Sequence, residues 1–245
     1  MFSVSLEYSK TFTSLLRYVS VQTAMLNVAE KRAIQNPRSS TQIPETRNLL
    51  LTMPGYINAD KCRALACKVV TVFPDNYKNN LPSILANILL FNEKTGTLDA
   101  IMDGTEITLW RTAAASVIAT KYIRGSHKKN NILAIVGAGA QAKMHVVAFQ
   151  QKFKFEKVHI WNRTHEKAGN LCKELDFSVF GQYVAFKNLN ECIEQADVIV
   201  TATFATTPLI KYEWLKAGVH INAVGAGGTP MELDEETYKS SVVFV

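Results

Sequence analysis

Ile132-Leu133-Ala134-Ile135-Val136-Gly137-Ala138-Gly139-Ala140-Gln141-Ala142 is the stretch whose reading decides the fold. A short, wholly apolar run stops in Gly-x-Gly-x-x-Ala, and helix-like sequence follows from Lys143-Met144-His145. That order predicts the first strand, tight turn and first helix of a dinucleotide-binding unit. Gly137 lets the chain turn sharply, Gly139 leaves room for backbone to approach a pyrophosphate, and Ala142 is small enough for helix to pack on strand. The free N–H groups of the helix start, at Ala140, Gln141 and Ala142, and the positive end of its dipole are expected to hold the phosphates.

A second strand is expected at residues 158–161, ending in Asn162-Arg163-Thr164. NAD sites usually carry a carboxylate here, about 20 residues after the glycines, to take the ribose hydroxyls. This chain has no Asp or Glu at that corner. An amide, a guanidinium and a hydroxyl are donors suited to a 2′-phosphate, so NADPH is expected over NADH. The competing reading makes Arg163 a solvated loop residue.

Composition narrows the class. The chain has 245 residues, 47% hydrophobic and 20% charged, with a net charge of +6. Such a chain holds one large or two ordinary domains with ample core. The positive charge is scattered, so nucleic acid is not implied; an anionic cofactor and substrate explain a mild excess. Cys62, Cys67, Cys172 and Cys192 show no metal-ligand or redox spacing, so no metal is expected and the thiols read as reduced. No apolar run approaches a membrane span and residues 1–20 lack a signal-peptide pattern, which predicts a cytoplasmic protein with no membrane partner.

Along the chain, residues 11–35 carry apolar positions at helical spacing, and 36–41 read as a loop. Strands are expected at 47–53 and 64–73 with Pro54-Gly55 as the turn between them, and a hairpin at 84–91 and 97–102. Asp103-Gly104 stops that strand, Thr105 or Thr108 caps a helix, and the helix runs to about residue 122. Residues 1–124 thus form an N-terminal α/β domain, 125–131 a linker, and 132–245 a Rossmann-type, doubly wound parallel sheet. Beyond the second strand, helices are expected at 164–175, 189–195 and 235–239. Strands are expected at 177–186, 197–203, 219–224 and 242–245. Strand ends at Gly137, Asn162, Thr203-Phe204 and Val224-Gly225 would line the edge where such sheets bind ligands. Ending on an edge strand leaves part of the sheet uncovered.

Lys68 lies within an apolar strand. A lysine is expensive to bury charged, so a depressed pKa or an anionic neighbour is expected, which suits a proton donor. A lysine on the solvent face of an edge strand is the competing reading. Arg111 is expected in the first turn of a helix, at the dipole's unfavourable end, where an anionic ligand would offset that.

Leu81-Pro82-Ser83, Met102-Asp103-Gly104, Arg111-Thr112-Ala113-Ala114-Ala115-Ser116, the Gly137–Ala142 turn, Trp161-Asn162-Arg163-Thr164 and Ile221-Asn222-Ala223-Val224-Gly225-Ala226 occur in this order. Together they resemble the ornithine cyclodeaminase/μ-crystallin family, its μ-crystallin (ketimine reductase) branch in particular, from about Leu15 to the end. The resemblance implies a homodimer with a Rossmann domain and an N-terminal domain that supplies substrate groups and the subunit interface. It puts Arg47 and Arg111 on the substrate carboxylate or beside the cofactor. It puts Lys68 near the reacting carbon, and Ser83 and Thr112 beside the cofactor. The activity implied is NADPH-dependent reduction of cyclic ketimines bearing a carboxylate. The alternatives are an NADPH-dependent binding protein for an amphipathic carboxylate such as an iodothyronine, and a shortened paralogue without turnover.

Four departures from the family pattern shape these expectations. Gly227 and Gly228 stand where ornithine cyclodeaminases carry an Asp, with Glu232 and Asp234 only later, which disfavours cyclodeamination. Only five residues separate Arg47 from Met53, where the family has a longer passage with another strand. The family's C-terminal helices are not found in this sequence. Ile84 replaces a histidine of the μ-crystallins.

Overall fold

A computed structural model describes residues 10–59, 62–124, 131–176, 179–225 and 232–244. The chain divides between Arg111 and Thr112 into two compact units.

The first unit opens with helix α1 (Lys10–Ala29) and then builds an antiparallel sheet. Its strands are β1 (Ala33–Gln35), β2 (Ser39–Gln42), β3 (Leu49–Ala59), β4 (Cys62–Val72), β5 (Ile84–Phe91) and β6 (Leu98–Asp103). They lie in the order β1-β3-β4-β5-β6, with β2 sharing the outer edge of β3. Two expectations fail here. Residues 39–41, read as loop, belong to strand β2, which pairs in register from Ser39↔Thr52 to Gln42↔Leu49. The polar Ser-Ser-Thr-Gln sequence carries no apolar alternation, and its ladder comes from the neighbouring strand alone. Pro54-Gly55 is not a turn, because β3 runs straight through both residues to Ala59, opposite Cys62. Beta1 reaches β3 only as far as Gly55 and β2 only as far as Thr52. Met53 and Pro54 therefore fall in a gap, where a residue without an N–H interrupts no ladder on that edge. The β5–β6 hairpin forms as expected, with Gly96 at φ +72 and its N–H on the Asn92 carbonyl at 2.9 Å.

Helix α2 (Thr105–Ala119) begins at the first of the two candidate caps, so Thr105 and Thr108 both lie inside it. The Asp103 carboxylate accepts the Thr105 N–H at 2.7 Å, while Thr108 returns its hydroxyl to the Gly104 carbonyl at 2.8 Å. The bonds from Thr105 hold the Asp103 carboxyl below its ordinary pKa. Arg111 thus falls in the second turn, beyond reach of the dipole effect expected for it. The helix ends in a π-helical turn, Thr120–Arg124.

The unit boundary falls inside α2 for a physical reason. Ala113, Val117 and Thr120 are buried, and Ser116 and Thr120 bond to His145 and Asn222 of the second unit. Residues 125–130 of the expected linker lie outside the described residues. His145 is fully buried, its Nε2 3.1 Å from Ser116 Oγ and its Nδ1 2.7 Å from the Gln141 carbonyl. Burial pushes its pKa down to about 4, against the opposing pull of the Gln141 bond, so the ring is neutral near pH 7.

The second unit is a Rossmann-type α/β fold. Strands β7 (Ile132–Val136), β8 (Lys157–Trp161), β9 (Gln182–Phe186), β10 (Val198–Thr201) and β11 (His220–Ala223) form a parallel sheet. Their order is β11-β10-β7-β8-β9. Helices α3 (Ala140–Phe153), α4 (His165–Asp176), α5 (Leu189–Ile193) and α6 (Glu235–Lys239) follow the expected rhythm, although β9 is shorter than expected and residues 177–178 lie outside the described residues. Leu133, Ile135, Val158, Ile160, Val198 and Ile199 are fully buried, as a parallel sheet requires. Each contributes roughly 1.5–3 kcal/mol of burial. Alternation sends Ala134, Val136 and Ile199 to the face where Cys192 and Ile193 of α5 pack. Asp197 fastens the start of β7 by accepting the N–H groups of Asn131 and Ile132 at 2.8 and 3.0 Å. The strand expected at 242–245 does not form among the described residues: Val242, Val243 and Phe244 pair with no strand and stand exposed.

Candidate functional site

With β7 central and flanked by β8 and β10, the chain reverses direction across the sheet at β7, and ligands of such sheets bind beyond the strand ends there. Gly137 takes φ +122, and its N–H donates to the Trp161 carbonyl at 2.8 Å. A Cβ at Gly137 would lie 2.6 Å from the Ala202 carbonyl oxygen, so backbone just past β10 closes off that side and only glycine fits. Ala142 is fully buried, as close packing of helix on strand predicts. Gly139 is the N-cap of α3, no side chain caps it, and a Cβ there would meet nothing within 4 Å. The helix start is therefore open above Gly139. A concavity of about 300 Å³ adjoins it, lined by Ala138, Gly139, Ala140, Lys143, Lys167 and Glu174 among others.

At the end of β8, Asn162 Nδ2 donates to the Thr164 carbonyl at 3.0 Å, which shapes the corner, and Arg163 and Thr164 are exposed. At the end of β10, Phe204 is exposed, and the Thr203 hydroxyl is already engaged. It donates to Glu232 Oε1 at 2.6 Å and accepts the Ala205 N–H at 3.2 Å. Val224 donates its N–H to the Thr201 carbonyl at 2.9 Å, and Gly225 gives its N–H to Glu232 Oε2 at 2.8 Å. All of these residues stand at the C-terminal edge of the sheet. Gly227 and Gly228 lie outside the described residues. Asp234 is committed to structure: it caps α6 through the Thr237 N–H at 2.8 Å and accepts the Tyr212 N–H at 3.2 Å.

The first unit carries a separate cationic group. Lys68 lies on β4, half-buried, with Arg111 of α2 and Arg38, just ahead of β2, acting on it. Burial first, then the charges of Arg111 and Arg38, lower the Lys68 pKa to about 8. Burial and Arg38 likewise lower that of Arg111, which stays open to solvent although protein atoms crowd its guanidinium. Among the described residues, no carboxylate is ion-paired with Arg38, Lys68 or Arg111.

Arg47 is not brought to this group. It stands in the β2–β3 turn, exposed, 3.6 Å from Asp75, whose other neighbour is Lys78 at 3.2 Å. Those residues line an open concavity of about 730 Å³ of their own. Arg38 is the arginine that sequence reasoning missed, because its Asn-Pro-Arg-Ser-Ser context reads as loop. Counted from Arg38, the passage to Met53 contains β2 and its hairpin, so the strand thought to be missing is present. Ser83, just before β5, turns its hydroxyl to the Pro74 carbonyl at 3.4 Å, and Thr112 is half-buried on α2. Among the described residues no three His, Cys, Asp or Glu side chains converge as metal ligands, and no helix is long and apolar enough to cross a membrane.

Residues 3–245 match the ornithine cyclodeaminase/mu-crystallin family. The ketimine reductase mu-crystallin of Rattus norvegicus is 40% identical over 213 residues, 86% of this chain and 66% of that protein. A Delta(1)-pyrroline-2-carboxylate reductase of Bacillus cereus is 37% identical over 203 residues, 83% of this chain and 61% of that one. The chain thus spans about two thirds of the length of these curated relatives. Among solved structures, Thermococcus litoralis Delta(1)-pyrroline-2-carboxylate reductase in complex with NADH and L-proline superposes with a TM-score of 0.86 at 35% identity, over 95% of this chain and 71% of that one. An archaeal alanine dehydrogenase dimer with bound NAD gives 0.81 at 27% identity, over 93% and 68%.

Proposed function

The chain belongs to the ornithine cyclodeaminase/mu-crystallin family, and on that premise we propose that it is an NADPH-dependent reductase of cyclic ketimines bearing a carboxylate. The observation that carries the reading is the convergence of Arg38, Lys68 and Arg111 without a carboxylate partner among the described residues. Two exposed guanidiniums acting on a half-buried ammonium are repulsive, and a small anionic substrate relieves that repulsion.

A nicotinamide dinucleotide fits the second unit. The uncapped start of α3 offers N–H groups to a pyrophosphate, and the space above Gly139 is clear of protein atoms. When bound, the reduced cofactor would supply a hydride for the imine carbon. Arg38 and Arg111 hold the substrate carboxylate by charge-assisted bonds. Lys68 gives the proton from Nζ to the imine nitrogen as that atom becomes an amine, and a pKa of about 8 suits a donor working near neutrality. The relatives named ketimine reductase and pyrroline-2-carboxylate reductase support the reaction class.

Preference for the phosphorylated cofactor rests on Asn162-Arg163-Thr164, since the similar structures hold NADH or NAD. Replacing Arg163 with alanine is expected to weaken NADPH by roughly 10- to 100-fold, the worth of a charge-assisted phosphate contact, and to leave NADH within about twofold. Equal losses for the two cofactors in a fluorescence titration would remove the 2′-phosphate argument.

The test of the reaction is direct. Purified protein mixed with NADPH and a six-membered cyclic ketimine is expected to consume the reduced cofactor, followed at the nicotinamide absorbance band. Tight binding without consumption points instead to a carrier of amphipathic carboxylates, which the same cation group also suits. Absence of any binding rejects both readings. The working form we propose is a cytoplasmic homodimer.

A further inference from the structure

A short parallel bridge joins Ile210 to Leu233, and the neighbouring Glu232 is buried to 2% exposure. Four donors converge on that carboxylate. Oε1 accepts the Thr203 N–H at 2.7 Å and the Thr203 hydroxyl at 2.6 Å. Oε2 accepts the Thr201 hydroxyl at 2.6 Å and the Gly225 N–H at 2.8 Å. No Lys, Arg or His among the described residues is ion-paired with it. The fit is tight, since a Cβ on Gly225 would lie 2.5 Å from the Glu232 carboxyl carbon.

An unpaired buried carboxylate is a costly way to stabilise a fold, because apolar packing of equal volume does it as well. The donors say what it holds. They belong to the ends of β10 and β11, and Ala202, between two of them, is the residue pressed against Gly137. A dinucleotide lies across the reversal point with its adenosine half on the β8 side, so its other half falls on the β10–β11 side. We infer that Glu232 is a positioning residue that fixes these two strand ends as the wall for the nicotinamide half of the cofactor. The inference rests on the reading that the second unit binds NADPH.

The chemistry calls for a carboxylate in particular. Each oxygen faces one backbone N–H, and a backbone N–H does not rotate away. In Glu232→Gln the amide nitrogen therefore meets a donor head-on whichever way the side chain is flipped. Threonine hydroxyls can turn, but Thr203 and Gly225 N–H groups cannot.

Calorimetric titration of the full chain with NADPH and with 2′,5′-ADP, a probe of the adenosine half alone, tests the inference. Wild type is expected to bind both. In Glu232→Gln, NADPH affinity is expected to fall about tenfold or more while 2′,5′-ADP stays within roughly twofold. Thr201→Val, which removes one of the four bonds at a fully buried position, is expected to show the same asymmetry at several-fold, and it carries the test should Glu232→Gln fail to fold. Equal losses for both probes mean a general structural role and overturn the inference, and so does unchanged binding of both. Wild type that binds neither probe overturns the cofactor reading beneath it.

Discussion

Arg38→Ala is expected to lower kcat/KM for a carboxylate-bearing ketimine by roughly 10- to 150-fold, while Arg47→Ala stays within about twofold. The contrast follows from what each arginine touches. Arg47 is exposed and satisfied by Asp75, and a surface pair of that kind is worth little. Arg38 acts on both Lys68 and Arg111, so it belongs to the cluster that awaits an anion. Loss of a charge-assisted contact to the substrate should appear mainly in KM if it holds ground and transition states alike. Stability should move the other way. Removing Arg38 relieves repulsion in the empty protein, so Tm should hold or rise slightly. Steady-state kinetics and a thermal melt on the two variants settle the assignment. A damaged Arg47→Ala beside an intact Arg38→Ala would return the substrate site to the β2–β3 turn.

Lys68→Met is expected to cost about 100- to 10,000-fold in turnover, the usual worth of a general acid, with NADPH affinity little changed. Its pH dependence is the sharper signature. Burial, with Arg111 and Arg38 behind it, holds Lys68 at about 8 rather than 10.5. Protonated Lys68 is the competent form, so kcat/KM should fall as pH rises through about 8 in the free enzyme, and the variant's residual rate should lack that limb. The folded pKa lies below the unfolded one. Between about 8 and 10.5 the unfolded chain binds the proton that the native one has lost, so Lys68 makes stability rise with pH across that window. Below it, both states are protonated and the repulsion is fully present. Partial exposure keeps the effect small. A bound carboxylate should draw the pKa back up, so ligand binding near pH 9 should take up protons. A flat profile through pH 9 would remove Lys68 from the proton transfer.

Much of the second unit was legible because its signals are local. The Ile132–Val136 run, the glycines and the Asn162-Arg163-Thr164 corner are each set by neighbours within a few residues, and the structure puts all of them on one sheet edge. The first unit was read less well where structure comes from across the sheet. Residues 39–41 look like loop and become strand only because β3 offers an open edge, and that hid Arg38. Pro54-Gly55 looks like a turn until the gap between β1 and β2 is known. Asp103, rather than Thr105 or Thr108, accepts the N–H at the helix start, and a helix that begins at Thr105 leaves Arg111 in its second turn. Glu232 was seen in the sequence only as an acid standing too late. Its role comes from Thr201, Thr203 and Gly225, which no spacing rule connects to it.

His145 has a consequence for how the molecule meets changes in its surroundings. Its ring joins α2 to α3 just behind the glycine elbow, and it gains a proton only near pH 4. Acidification by a unit or so below neutrality leaves that contact untouched, whereas Lys68, at about 8, titrates within reach of mild alkalinity. Of these two groups, the half-buried one responds to mild changes of pH, while the buried contact between α2 and α3 is insulated from the same swings.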